Sequence, residues 1–386
     1  MGFAVALVTV VWALALYAVA RTAWSLRSIA RLDAPAPPAW PTVSLVVAAK
    51  DEAEGIDAAL RSRLADDYPA LEVVAVDDRS EDATGAILDA IAAEDPRLRA
   101  IHVTSLPDGW LGKLHAMKRG EEAAAGEWIL FSDADVHFAP GTLRKVIAHA
   151  VATGLDHVTV VPHFTATGYA LDACIDVFLR NLTICGRLWA VPDPASSAAA
   201  GGGLFNLVRR SALARTPGLE WIRLEIADDM GLAQMIKKHG GRSEVLHARG
   251  HVSLAFYDTL AGLARGVEKS ALPVIGRFSH AALHAQFVPY IALEVFTVAA
   301  PFVAPRGWPA TLSLVALCLM LATTALTQAW AGRSLRTLPA APFAAVLTAV
   351  FMLRSSWSAA RRGGIVWRGT TYDLDTLKAG ARYSPW

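Results

Sequence analysis

The chain has 386 residues, 54% hydrophobic and only 18% charged, enough for one sizeable globular domain with membrane segments or for two modest domains. Its apolar residues gather toward the two ends, which favours a soluble middle held by apolar flanks. A formal net charge of +1 provides no broad basic field, so nucleic acid is excluded as the expected partner and any anionic ligand needs a local site.

Residues 3–20 form an almost unbroken apolar run of membrane-spanning length, followed by Arg21, Arg27 and Arg31. Because the positive charges follow the run, it reads as an uncleaved anchor and not as a signal peptide, and the positive-inside bias puts the residues after it on the cytoplasmic side. A stiff Ala-Pro linker occupies residues 34–38. Then apolar, β-branched runs at 43–49, 71–76, 98–103 and 128–131 alternate with helical patterns near 54–65, 83–93 and 113–124. This alternation predicts an α/β domain with a doubly wound, mostly parallel sheet, whose ligands sit at the carboxyl ends of the strands. Residues 195–203, ending in three glycines, read as a flexible loop or a close approach of backbone to ligand. Three more apolar stretches lie near 287–303, 310–330 and 338–353. The last is short and carries Pro339 and Pro342, so a re-entrant or interfacial segment competes with a span. Three full spans would send Arg361, Arg362 and Arg368 outside; a cytoplasmic tail and one incomplete span are expected instead. The expected division is an anchor and linker start at 1–33, a cytoplasmic domain at 34–285, transmembrane or re-entrant helices at 286–360 and a tail at 361–386. Cys174, Cys185 and Cys318 match neither a disulfide framework nor a zinc-ligand spacing.

Two strand ends carry acidic motifs. Asp133 and Asp135, spaced by one small residue, can put one carboxylate on a hard cation and the other near a ribose, as a nucleoside diphosphate requires. The competing reading is a polar turn that caps a strand. At the other end, Asp77-Asp78-Arg79-Ser80-Glu81-Asp82-Ala83-Thr84 closes a strand and opens a helix, with Ser80 or Asp82 as helix cap and an aspartate free to accept from a nucleotide base. Lys113, after a glycine in a loop, offers a mobile point charge for phosphate oxygens, although in isolation it would be a solvated lysine.

These segments resemble glycosyltransferase family 2 over about residues 43–269. Ala49-Lys50-Asp51-Glu52 looks like that family's Ala-Arg-Asn-Glu strand end, and residues 77–84 look like its Asp-Asp-x-Ser-x-Asp-x-Thr nucleotide motif. Gly109-Trp110-Leu111-Gly112-Lys113 is similar to the Gly-Trp-x-Gly-Lys segment of membrane members acting on lipids, among them hopanoid-associated, carotenoid and ceramide glycosyltransferases. The resemblance implies a GT-A-type fold with transmembrane helices at both ends, nucleoside contacts from Glu52 and Asp78 with Asp77 beside them, a pyrophosphate contact from Lys113, and a metal at Asp135 with Asp133 nearby. Gly201-Gly202-Gly203 followed by Arg209-Arg210 resembles a glycine-rich strand with paired arginines that walls donor sugar and acceptor. Asp228-Asp229 resembles the family's Glu-Asp motif; Asp229 is the expected base for an inverting transfer and Asp228 its support, while a helix start after them would also favour carboxylates. The Arg-Trp motif of processive members is absent. In its region Phe256-Tyr257 and Arg265-Gly266-Val267-Glu268-Lys269 resemble a Tyr, then Gly-x-x-Lys pattern, whose Arg265 and Lys269 neutralise a leaving diphosphate or lie among lipid headgroups. Residues 363–372 resemble the Trp-Lys-Gly-Arg-x-Tyr tail of the same enzymes, and an interfacial Trp/Tyr/Arg anchor explains them equally well.

The expectation is therefore an inverting glycosyltransferase of the bacterial inner membrane, with its catalytic domain facing the cytoplasm. It would use Mg2+ or Mn2+ and move a sugar from a nucleotide sugar, with uridine diphosphate as the expected carrier, to a lipid hydroxyl. A non-catalytic nucleotide-sugar-binding platform and a polysaccharide synthase are the alternatives.

Overall fold

The structure, a computed structural model, describes residues 1–384. The chain opens with helix α1 (Gly2–Ser25) and divides into two compact units. One comprises Arg27–His163, Ala190–Leu254 and the segment from Asp375 onward; the other comprises Met1–Leu26, Phe164–Trp189 and Ala255–Leu374.

The first unit is built on a seven-stranded sheet. Strand β1 (Val43–Ala49) continues through α2 (Ile56–Leu64) to β2 (Leu71–Asp78), through α3 (Thr84–Glu94) to β3 (Leu98–Val103), and through α4 (Gly112–Ala123) to β4 (Trp128–Asp133). After α5 (Thr142–Thr153) and β5 (His157–Val161) the chain leaves for α6 (Tyr169–Cys185), then returns as β6 (Asn206–Arg209), α7 (Asp228–Lys238) and β7 (Ser243–His247). The order is β3-β2-β1-β4-β6-β5-β7, and only β6 runs antiparallel to its neighbours. Parallel neighbours need long crossovers, which the helices supply, and the helices cover both faces of the sheet. That is why β1 and β2 read as continuous apolar runs: Val43, Leu45, Val47, Val73 and Ala75 are fully buried in one core. The architecture expected from sequence is the one observed.

The register sets the site. Because β1 pairs with β2 and with β4 in parallel, Ala49 lies opposite Asp77, and Ala48 opposite Asp133. Both acidic motifs therefore emerge at one edge of the sheet. Antiparallel β6 reverses the sense, placing Asn206 opposite Phe131 and Arg209 opposite Trp128. Its beginning, with the three glycines just before it, is at the carboxylate edge. Arg209 and Arg210 are at the opposite edge.

The second unit is helical. Among the described residues, four helices are long and apolar enough to cross a membrane: α1, α9 (His280–Val303), α10 (Trp308–Ala331) and the stretch Leu335–Arg362, which includes α11 (Ala341–Arg362). The third C-terminal stretch is thus longer than its apolar core suggests. Pro342 falls in the first turn of α11, where a missing N–H costs nothing, and Pro339 lies before it, so neither interrupts the helix. Within this unit Val8, Trp12 and Ala15 of α1 pack with Ala316 and Met320 of α10, and the Trp12 indole donates to Thr297 Oγ1 at 2.9 Å. The unit also contains α6 and α8 (Leu260–Ser270), the latter capped by the Thr259 hydroxyl accepting from Gly262 N.

Candidate active site

The loops after β1 and β2 are laced together. Asp51 and Arg79, the turn residues of these two strand ends, both have left-handed φ, 53° and 57°. Hydrogen bonds across the gap hold them there: Lys50 Nζ donates to Arg79 O (3.1 Å), Asp51 N to Ser80 Oγ (3.0 Å), Glu81 N to Asp51 Oδ1 (2.8 Å) and Glu52 N to Thr84 Oγ1 (2.8 Å). Of the two candidate caps for α3, Asp82 takes the Thr84 N–H (2.9 Å), while Ser80 is turned to the Asp51 backbone.

Asp77 and Asp78 point to opposite faces, as successive strand residues must. Asp77 accepts from Ser80 N at 3.1 Å and meets His102 Nδ1 at 3.1 Å; this bond, with a second from Asp89, raises the pKa of the imidazole. Asp78, 3% exposed, is gripped by the Arg79 guanidinium at 2.8 and 3.0 Å. It lies so close to Gly112 that a Cβ there would overlap the carboxylate. Asp78 therefore faces the start of α4, where Lys113 stands, and Asp77 faces β3.

Lys113 joins two other segments. Its ammonium is 2.8 Å from Asp133 Oδ1 and 3.0 Å from Asp228 Oδ2. Burial opposes that charge, but Asp133, Asp228 and Asp229 outweigh it and hold the lysine pKa above its ordinary value. Between these carboxylates runs the glycine turn: Asp133 N donates to Gly203 O at 2.8 Å, and Gly203 N donates to Asp229 Oδ2 at 2.9 Å. The other Asp229 oxygen accepts from Met230 N (2.8 Å), and Asn206 Nδ2 donates to the Asp229 carbonyl (3.1 Å). Burial, and then the charge of Asp228, push the Asp229 carboxyl upward against the pull of Lys113. Lys113, Ser132, Gly203, Asn206, Asp228 and Asp229 line one cavity. Asp228 and Asp229 also open α7, so the helix-start reading and the cluster reading hold together.

Asp135 carries a carboxyl pushed up to about 6, by burial first and then by the charges of Asp133 and Glu52. Among the described residues no three His, Cys, Asp or Glu side chains are arranged to hold a metal ion by themselves. The donor chemistry nevertheless fits a hard cation: the charges of Asp133 and Glu52 bear on the buried Asp135 carboxyl, and Mg2+ or Mn2+ bound by phosphorylated ligands needs only one or two protein carboxylates.

Arg63 was not singled out in the sequence. Fully buried on α2, it donates to Ser132 Oγ (3.2 Å), Asp133 O (2.9 Å) and Ala134 O (2.7 Å), fixing the backbone of the Asp-Ala-Asp turn from behind. Burial pushes its pKa down to about 10 against the fields of Asp135 and Asp133. The signal was an arginine on the apolar stripe Ile56, Ala59, Leu60, Leu64. The paired arginines, by contrast, do not wall the site. The Arg209 guanidinium covers the Trp128 ring, and Arg210 binds the carbonyls of Gly126 and Ala124 at 2.7 and 2.6 Å, at the far edge of the sheet. The glycines form a turn before β6 and not a strand. Arg265 and Lys269 belong to the helical unit, where they line a separate cavity.

Among proteins of known name, a succinoglycan biosynthesis protein, ExoO, from Rhizobium meliloti is 41% identical over 125 residues, 31% of this chain and 34% of that protein. A beta-monoglucosyldiacylglycerol synthase from Synechocystis sp. is 26% identical over 216 residues, 54% of this chain and 42% of that protein. The chain thus matches between a third and about two fifths of the length of these relatives. Among solved structures, a mannosyltransferase from Pyrobaculum calidifontis, in complex with GDP-Man and Mn2+, superposes with a TM-score of 0.53 at 19% identity, over 92% of this chain and 98% of that one, which establishes a shared fold. Where the motifs suggested family 2, the sequence profile that matches residues 10–379 is another of GT-A type. The chain belongs to glycosyl transferase family 21.

Proposed function

We propose that this protein is an inverting glycosyltransferase that moves a sugar from a nucleotide-sugar donor to a hydroxyl of a membrane lipid. The observation that carries the reading is the meeting of Lys113 with Asp133 and Asp228, beside Asp229, where two strand ends, a glycine turn and a helix start converge. In this proposal Asp78 and Glu52 receive the nucleoside and Lys113 balances phosphate charge. Asp135 and Asp133 would hold a divalent cation, which supplies positive charge against the departing diphosphate. The acceptor oxygen attacks the anomeric carbon as its bond to the diphosphate breaks; the nucleoside diphosphate leaves with the bonding pair and Asp229 takes the hydroxyl proton. A carboxyl raised by burial and by Asp228 is a stronger base than an ordinary aspartate, which suits that step. Asp228 and Lys113 position it. Asp77, bound to Ser80 and His102, shapes the turn that presents Asp78.

The apolar helices and the partial likeness to a glucolipid synthase support a lipid acceptor and a membrane location, with Arg21, Arg27 and Arg31 favouring the cytoplasmic face of a bacterial inner membrane. The likeness to a succinoglycan biosynthesis protein favours a polymer instead, but over 31% of this chain. The test incubates purified protein with labelled UDP- and GDP-sugars, Mn2+ and lipid extract. Chloroform-soluble labelled product is expected, reduced about 10²- to 10⁴-fold by Asp229→Asn with donor binding retained. A water-soluble polymer would support the synthase, donor binding without turnover the platform, and full activity of Asp229→Asn would remove the assigned base.

A further inference from the structure

Within the helical unit lies a cavity of about 460 Å³, a volume typical of ligand sites, formed by α8, the end of α11 and the hairpin of β8 (Gly364–Trp367) and β9 (Thr370–Asp373). Tyr257, Arg265, Lys269, Arg362, Trp367 and Arg368 line it. Four cations therefore face a single lining carboxylate, Glu268. The walls are built: Ser355 Oγ bonds the Glu268 carbonyl and accepts from Leu272 N at 2.9 Å, tying α8 to α11. Lys269 Nζ stands 3.9 Å over the Trp367 ring, and Tyr257 lies so close to Gly266 that a Cβ there would overlap its phenol.

Glu268 is the informative residue. It is 7% exposed, and its Oε2 is 3.4 Å from Arg354. Its Oε1 accepts no hydrogen bond and is held only by the charge of Arg362 at 3.6 Å. A buried carboxylate oxygen that has a charge nearby but no hydrogen bond is under-satisfied, and a ligand that donates to it relieves that cost. A phosphate for the cations and a hydroxyl or ammonium for Glu268 is the pattern of a phosphodiester headgroup. The depth agrees: on α11, Trp357 is 59% exposed with the Arg361 guanidinium over its ring, the pairing expected at a membrane-water interface.

We propose that this cavity binds the headgroup of an anionic phospholipid, its phosphate between Arg265, Lys269, Arg362 and Arg368 and its hydroxyl on Glu268. The inference stands whether or not the transfer reaction is as proposed, and its test reads lipid and not product. The full chain is purified in mild detergent with equal phosphatidylglycerol and phosphatidylcholine, and bound lipid is counted by native mass spectrometry. One phosphatidylglycerol per chain is expected, retained over phosphatidylcholine and undisturbed by millimolar UDP or GDP. At about fivefold per charge near a bilayer surface, Arg265→Gln with Arg362→Gln lowers retention roughly twenty- to thirtyfold; if that pair unfolds the protein, Arg368→Gln, on the hairpin, gives a single fivefold step. Equal retention of the two lipids, or retention unchanged by these substitutions, overturns the proposal. Displacement by UDP or GDP also overturns it and assigns the cavity to a nucleotide diphosphate.

Discussion

Gly203→Ala tests the site at its narrowest point. The backbone of Gly203 is outside the left-handed region, so alanine is conformationally acceptable and the effect is one of space. A Cβ would stand 2.7 Å from Asp133 Oδ2 and 3.0 Å from Lys113 Nζ, against an ordinary contact of about 3.5 Å, so carboxylate and ammonium must yield by roughly half an ångström or more. A displacement of about 1 Å at a reacting centre costs on the order of 100-fold, so a 10- to 100-fold fall in kcat/KM is expected with little change in thermal stability, since the crowded atoms are side-chain ends. Gly202→Ala is the control: its Cβ would meet Thr159 Oγ1 at 3.3 Å and nothing else within 3.5 Å, and activity should fall less than threefold by the same scale. The assay is initial-rate sugar transfer over a Mn2+ series with Tm measured in parallel. Equal activity of the two variants would show that the Asp133–Lys113 contact has no part in catalysis.

Acid should weaken the sheet unit through His157. This fully buried imidazole hydrogen-bonds Asn206 at 2.5 Å, its Nδ1 has no partner, and burial pushes its pKa down to about 4 from an unfolded value near 6.5. The unfolded state binds the extra proton between those values, so stability is complete above about pH 6.5 and falls by about 2–3 kcal/mol by pH 4.5. Wild type should lose roughly 5–10 °C more Tm over that range than His157→Gln, and equal losses would refute the linkage. Truncation after Gly380 removes the Arg382 and Tyr383 N–H groups that donate to buried Glu225 Oε2 at 2.7 and 2.8 Å, and the Ser384 carbonyl bound by Gln234. An orphaned buried acceptor costs about 1–3 kcal/mol, so Tm should drop and kcat should fall more than donor affinity, because Glu225 lies just before Asp228 and Asp229. Labelling by a membrane-impermeant thiol reagent should place Arg306→Cys and Ser334→Cys, each in a cysteine-free background, on opposite faces of the membrane, with Ser334→Cys on the face of the sheet unit.

What the sequence made legible follows from how local each signal is. Strands β1 and β3 match the sequence reading to the residue: β1 is buried almost throughout and therefore apolar, while β3, at the sheet edge, keeps Arg99 and His102 exposed between its buried ends Leu98 and Val103. The arrival of Asp78 and Asp133 at one edge was readable from topology, since parallel strands deliver their ends together, whereas the joining of Asp133 to Asp228 through Lys113 was not. The antiparallel turn of β6 was not readable, and it decides which end of residues 201–210 meets the site: the glycines do, the arginines do not. Nor was α6. Its buried face includes Asp172, Asp176 and Arg180, and charged residues there break the apolar period that marks a core helix. Their reason is distant in sequence: Arg180 pairs with Glu294 on α9, and Asp172 and Asp176 with Arg333 after α10.

Those same partners constrain how the chain threads a bilayer. Residues from Asp375 onward fold with the sheet unit, Gly380 against Leu224 and Arg382 on Glu225, so the chain rejoins that unit after α11. After α10, Arg333 donates to the carbonyl of Phe164 at 2.8 Å within the helical unit, and Phe164 is bonded directly to His163 of the sheet unit. The expected threading has α9 crossing outward and α10 returning, which the labelling of Arg306→Cys and Ser334→Cys checks. On that expectation α11 begins and ends on one face, although it has the length to span. Its sequence agrees: Arg354, Arg361 and Arg362 punctuate its second half, and Ser355, Ser356 and Ser358 are buried in protein. A helix that lies at the interface with a polar protein-facing side satisfies the positive-inside rule, which three full crossings would violate.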